Sequence, residues 1–75
     1  MAALLYNDFF IIPFGQFDKD RKLWMPVADI SWHAATGYDA HTTRDLGHTF
    51  STKQDAETFA VEIGKAWVDA RVKAA

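Results

Sequence analysis

A chain of 75 residues holds one core, and without cysteine it has neither a disulfide nor a thiolate zinc site to brace that core. Apolar residues make up 49% of it and aromatic residues 15%, a composition that excludes disorder and favours a packed interior. Eight basic against ten acidic side chains leave a net charge of −2, so no global field draws the chain to a phosphate backbone.

A domain this small buries only ~60% of the surface its unfolded chain exposes. Apolar surface beyond what one small core absorbs makes self-association an expectation in its own right. The absence of cysteine points to an intracellular setting, since secreted domains of this size are usually stapled. Met1-Ala2-Ala3-Leu4-Leu5-Tyr6 has no basic n-region and is too short for a signal peptide or a membrane span. A cytoplasmic location is therefore expected.

The first strand is expected over about 6–14, where YNDFFIIPF is dense in aromatic and β-branched residues. Pro13 cannot donate to a ladder and belongs at a strand end or an open edge. Both faces of this strand are apolar: Phe9, Ile11 and Pro13 on one side, Phe10, Ile12 and Phe14 on the other. The polar run Gly15 to Lys22 reads as a hairpin loop, with Asp18-Lys19-Asp20-Arg21-Lys22 as its solvated tip.

The second strand is expected over about 23–33. Period-2 alternation puts Trp24, Ile30 and Trp32 on one face, and Pro26 hints at a bulge or an edge. Ala34 to Ala40 is loop-like around Gly37. The third strand is expected over about 41–50, weakened by Asp45 and Gly47, with Gly47 a candidate bulge.

A capped amphipathic helix is expected over about 52–72. Ser51 or Thr52 serves as the cap, Asp55 and Glu57 sit at the positive end of the helix dipole, and Arg71 and Lys73 sit at the negative end. Ala56, Phe59, Ala60, Ile63, Trp67 and Ala70 form one apolar stripe, assigned to the sheet. Val61, Val68 and Val72, with Gly64 beside them, form a second stripe rotated by roughly 140°. That row is either a scatter of surface valines or a dimer seam.

The expected architecture is thus α+β: a three-stranded antiparallel sheet, β-β-β-α, with one C-terminal amphipathic helix packed on one face. It forms a single domain over 1–75. The expected core is Phe9 or Phe10, Ile11 or Ile12, Trp24, Ile30, Phe50, Phe59, Ile63 and Trp67.

Chemistry-bearing patterns are few. His33, His41 and His48 do not follow a zinc spacing, although a hairpin carrying His33 and His41 would bring them close at its open end. Asp29, Asp39 and Asp45 are the carboxylates nearest to them in sequence. Nucleophile elbows, phosphate loops, dinucleotide glycine fingerprints and HExxH are all absent from the sequence. An enzyme is not expected, and no cofactor or metal is implied. Trp24, Trp32 and Tyr38 would serve as stacking platforms on a free sheet face, with Arg21, Lys22 and Arg44 as phosphate contacts. The same tryptophans serve equally as core.

The strand aromatics Tyr6, Phe9 and Ile11-Ile12-Pro13 lead to Trp24, Val27 and Ile30. Phe50, Thr52-Lys53 and Ala56-Glu57 then open the helix, and Trp67-Val68-Asp69 nears its end. In this pattern the chain resembles a group of short bacterial β-β-β-α single-domain proteins of unknown function. The resemblance implies a fold and a bacterial source, and it supplies no catalytic residues. The leading expectation is a small non-enzymatic protein-interaction module, self-associating as a homodimer through Val61, Val68, Val72, Phe10 and Ile12. The alternatives are a nucleic-acid-binding module using the uncovered sheet face, and a small-ligand or metal-binding protein.

Overall fold

The computed structural model describes residues 3–45 and 47–74. Met1, Ala2, Leu46 (within the expected third strand) and Ala75 lie outside the described residues. Strands β1 (Leu4–Tyr6), β2 (Phe9–Asp18), β3 (Leu23–Ala34) and β4 (Gly37–Arg44) form an antiparallel meander in chain order, followed by helix α1 (Lys53–Ala74). The sheet has four strands, not the expected three.

The extra strand comes from Asn7-Asp8. Both residues take positive φ, 50° and 68°. That is the backbone of a two-residue type I′ turn, and short polar side chains tolerate it best after glycine. The turn pairs Tyr6 with Phe9, Leu5 with Phe10 and Leu4 with Ile11. The expected strand over 6–14 is therefore the end of one strand and the start of the next.

β2 also runs on through Gly15 to Asp18, paired as far as Asp18 with Leu23. The expected eight-residue loop shrinks to its tip, Lys19 to Lys22. There the Asp18 carbonyl accepts from the Lys22 amide at 2.7 Å, and Asp18 Oδ2 accepts from Arg21 Nε at 2.8 Å. The cross-strand ring pair Phe17–Trp24, with centroids 5.0 Å apart, supports the extended chain where local composition favours a loop.

The expected loop 34–40 is mostly strand. β4 begins at Gly37, whose φ of 129° closes a short turn after Ala34, and it ends at Arg44, opposite Val27. It does not continue to residue 50, and Pro26 explains why. The even residues of β3 turn their amides toward β4, because Trp24 exchanges both main-chain hydrogen bonds with Phe50, at 2.8 and 2.9 Å. At Pro26 the carbonyl still accepts from the Asp45 amide at 3.3 Å, but no amide exists to answer. The ladder lapses there and resumes only at Trp24.

α1 is capped by Thr52, whose Oγ1 accepts from the Asp55 amide at 3.2 Å. Its buried line is Ala56, Ala60, Gly64 and Val68. At ~100° per residue this line falls midway between the two stripes read from the sequence. The stripes are the flanks of one broad face. The centre of that face carries the smallest side chains because the helix lies close on the sheet. A Cβ built on Gly64 would stand 2.8 Å from Ile11 Cγ2 and 3.4 Å from Ala28 Cβ, and one built on Gly15 would stand 3.2 Å from Ala56 Cβ.

The large side chains reach down on either side of this line. Phe59 packs 5.4 Å from Phe50 and Trp67 packs 5.5 Å from Trp32, while the Lys65 ammonium stands 5.4 Å from the Tyr6 ring. The core contains Ile11, Ala28, Ile30 and Val68, with Leu4, Tyr6, Phe9, Trp32, Ile63 and Trp67 packed against it. Ile11 and Ile30 are core as expected. Trp24, Phe50 and Phe59 are half-buried, and Ala28, Pro13, Pro26 and Val27 are buried positions that the sequence did not single out.

Candidate interaction surface

Cross-strand register assigns each side chain to a face. Leu4, Tyr6, Phe9, Ile11, Pro13, Trp24, Ile30, Trp32, Asp39, His41 and Thr43 share the helix side. The outer side carries Leu5, Phe10, Ile12, Phe14 and Met25 in one apolar strip that ends at the buried Val27. Asp29, Ser31, His33, Tyr38 and Thr42 form a polar margin beside it. The strip is open at its β1 end and closed at the other, where Phe14 and Met25 are half-buried and Val27 is fully buried. Leu5 is 61% exposed, Phe10 41% and Ile12 43%. Three large aliphatic or aromatic side chains left to water on adjoining strands are the surface feature that most needs a partner.

The expected interaction residues separate into two groups. Phe10 and Ile12 sit on this outer strip. The valines sit on the helix, on the opposite side of the sheet, so the two groups do not make one surface. Val68 is fully buried against Ile11 and Ala28 and is part of the core. Val61 is half-buried, and only Val72, 48% exposed near the helix end, is open. The valine row fails as a seam because its middle member is the contact between helix and sheet.

The expected phosphate contacts are also dispersed. Arg21 is tied to Asp18 at the β2–β3 tip. Hydrogen bonds from the Arg21 side chain and amide hold the Asp18 carboxyl below its usual range. Lys22 occupies a positive-φ turn position, and Arg44 ends β4 on the outer face opposite Val27. Trp24 and Trp32 lie on the helix side, away from Tyr38 on the outer side, so these three rings form no common platform.

The histidines occupy three places. His33 lies on the outer face, edge-on to Tyr38 at 5.2 Å. His41 lies on the helix face, stacked on Trp67 with ring centroids 4.6 Å apart and planes 10° apart. His48 is in the loop before α1, with Nδ1 2.7 Å from Asp45 Oδ2 and its ring 4.7 Å from Phe59. Desolvation pushes the Asp45 carboxyl upward, but the Gly47 amide and the His48 ring outweigh it and leave the carboxyl below its usual range. Successive β-positions alternate faces, so His33 and His41 stand on opposite sides of the sheet despite sharing a hairpin. Among the described residues, no three side chains of His, Asp or Glu are grouped to hold a metal, and the surface forms no pocket.

The helix side instead ends in a ring cluster that the sequence did not single out. Trp32 and Trp67 lie 5.5 Å apart, Phe9 packs 5.4 Å from Trp32, and the Arg71 guanidinium rests 4.5 Å above Trp32 and 5.5 Å from Trp67. Arg71 closes the open end of the core as a cation over two indoles. Tyr6 donates to Asp69 Oδ1 at 2.9 Å on the other flank, fastening β1 to the helix. No helix among the described residues is long and apolar enough to cross a membrane. No family model, curated protein or solved structure matches the chain, so the functional reading stands on this geometry alone.

Proposed function

We propose that the protein is a small non-enzymatic interaction module that self-associates through the outer face of its sheet. The observation that carries this reading is the exposed patch of Leu5, Phe10 and Ile12, lying opposite the face that the helix covers. An apolar strip is self-complementary, because a two-fold axis through Ile12 sets it on its own copy and needs no second sequence to match it.

The size of the face supports the same occupant. Strands ~4.8 Å apart and ~30 Å long give it roughly 500 Å², and two copies together roughly 1,000 Å², near the lower bound for a specific interface. A net charge of only −2 opposes association weakly. The expected product is a dimer of moderate affinity.

Sedimentation equilibrium over a micromolar range tests this. Wild type associates, and Ile12→Lys with Phe10→Lys weakens association by tenfold or more (at least about 1.4 kcal/mol) while leaving the monomer folded. A wild type that stays monomeric throughout, or a double variant that associates like wild type, overturns the reading.

A further inference from the structure

The two edges of the sheet are built differently. The β1 edge is short: β1 spans three residues, and beyond it β2 is open from Ile12 onward. The two-residue turn makes Tyr6–Phe9 a hydrogen-bonded pair, so the odd residues of β2 direct their main-chain groups to that edge. The first of these past β1 is Pro13, which has no amide to offer. Proline and brevity are the usual protections of an exposed edge.

The β4 edge has neither. It runs for eight residues, GYDAHTTR, without proline or lysine. Among the described residues, no strand pairs with its outer side. The same parity that turns even residues of β3 toward β4 turns Gly37, Asp39, His41 and Thr43 back toward β3. It leaves the amides and carbonyls of Tyr38, Ala40 and Thr42 pointing outward. The Ala40 amide has no ladder partner and donates instead to the carboxylate of its own neighbour, Asp39 Oδ1, at 3.0 Å.

We infer that this edge pairs antiparallel with β4 of a second copy, about a two-fold axis at Ala40, so that two sheets become one. Side-chain pairing chooses the register. Outward-facing main-chain groups can pair only even residue with even residue. Centring on Ala40 places Asp39 opposite the partner's His41 and His41 opposite the partner's Asp39, on the helix side of the joined sheet. Shifting the axis by one residue toward the β3–β4 turn opposes Asp39 to itself, and shifting it the other way opposes His41 to itself. An imidazole N–H facing a carboxylate can donate to it across the pair, whereas two facing carboxylates repel and two facing imidazoles leave the carboxylates without that donor. The Ala40-centred register forms about six main-chain hydrogen bonds across the axis. Asp39 then exchanges its own Ala40 amide for the facing imidazole, while Ala40 bonds to its symmetry mate. Pairing at this edge goes beyond association through the outer face and uses different atoms, so the two surfaces fail or succeed separately.

Residue-resolved amide hydrogen exchange on the wild-type chain is the direct test. On raising the protein concentration, the Tyr38, Ala40 and Thr42 amides exchange roughly tenfold or more slowly, while those of Asp39, His41 and Thr43, already bonded to β3, do not change. Ala40→Pro removes one outward amide without touching the ladder to β3, so it abolishes the protection at Tyr38 and Thr42 and halves the limiting mass. Phe10→Lys with Ile12→Lys leaves the alternating protection in place. If Tyr38, Ala40 and Thr42 exchange equally fast at every concentration, the edge does not pair. The same conclusion follows if a folded Ala40→Pro protein keeps the wild-type mass.

Discussion

The two faces of this sheet have nearly the same apolar content and opposite fates. On β2, Phe9, Ile11 and Pro13 are covered by the helix, while Phe10, Ile12 and Phe14, the intervening residues, look away from it. Strand hydrophobicity therefore does not decide which face the helix takes. The decision lies in what sits opposite. On the covered side the sheet offers Ala28 and Gly15 beneath a helix line of Ala56, Ala60 and Gly64, and backbones can approach only where side chains are that small. The outer side carries Phe14 and Met25, both half-buried, at comparable positions, bulk that suits a looser, side-chain-to-side-chain contact.

Ile11 and Ile12 offer the sharpest way to break that comparison, since they are neighbours in sequence and opposite in face. Ile11 is fully buried and touches the position of closest helix approach. Ile11→Ala is expected to cost about 2–5 kcal/mol, a large share of the ~5–15 kcal/mol typical of a whole domain. That lowers the melting temperature by on the order of 15 °C. Ile12→Ala, at a position 43% exposed, is expected to change monomer stability by less than about 1 kcal/mol and to act on association instead. Thermal melts of both variants at low concentration check this. Equal losses at the two sites would mean the faces are equivalent in the monomer.

The valines extend the test to the helix. Val68→Ala is expected to cost about 2 kcal/mol, because Val68 is fully buried in the core. Val72→Ala, one turn further on and 48% exposed, should stay within about 0.5 kcal/mol. Urea titrations of the two variants measure the difference. A larger loss at Val72 would restore the valine row as an outward seam.

Much of the fold was legible where one local signal acted alone. The helix, its Thr52 cap, the Trp24–Ile30–Trp32 face and the interruption at Pro26 all follow from spacing or from a missing amide. The fourth strand was hidden because Asn7-Asp8 lacks the glycine that usually marks a two-residue turn, and the surrounding apolar residues read as continuous strand. β4 was displaced because Gly37 marks the turn itself rather than the middle of a loop, which moves the strand four residues earlier. The helix face was misdrawn by weighting large side chains. Its centre is marked by Gly64 and two alanines, which carry little hydrophobic weight but allow the closest approach. The candidate surface was half legible: Phe10 and Ile12 followed from alternation on β2, whereas Leu5 required the pairing of β1, which depends on a turn made by two non-glycine residues at positive φ.

The two faces also differ in how polar side chains bind them, and this gives the smallest expected effect. On the outer face Thr42 donates to Asp29 at 2.6 Å, joining adjacent strands. On the helix face Tyr6 donates to Asp69, tying the first strand to the last helix. That hydrogen bond is the largest cause raising the Tyr6 phenol above its ordinary value of 10.0, with desolvation and the charges of Asp69 and Glu62 adding to it. A phenol whose folded pKa is raised contributes stability that is complete below its unfolded pKa and is lost as pH rises through the folded value. The stability difference between wild type and Tyr6→Phe should therefore be constant from neutral pH to about 10 and shrink above it. Denaturant titrations at a series of alkaline pH values measure it. The phenol is exposed and its partner screened by water, so the difference is small. A difference that stays flat through the alkaline range would mean that Tyr6 is held by packing against Leu4 and Phe9, and that the helix is joined to β1 by apolar contact alone.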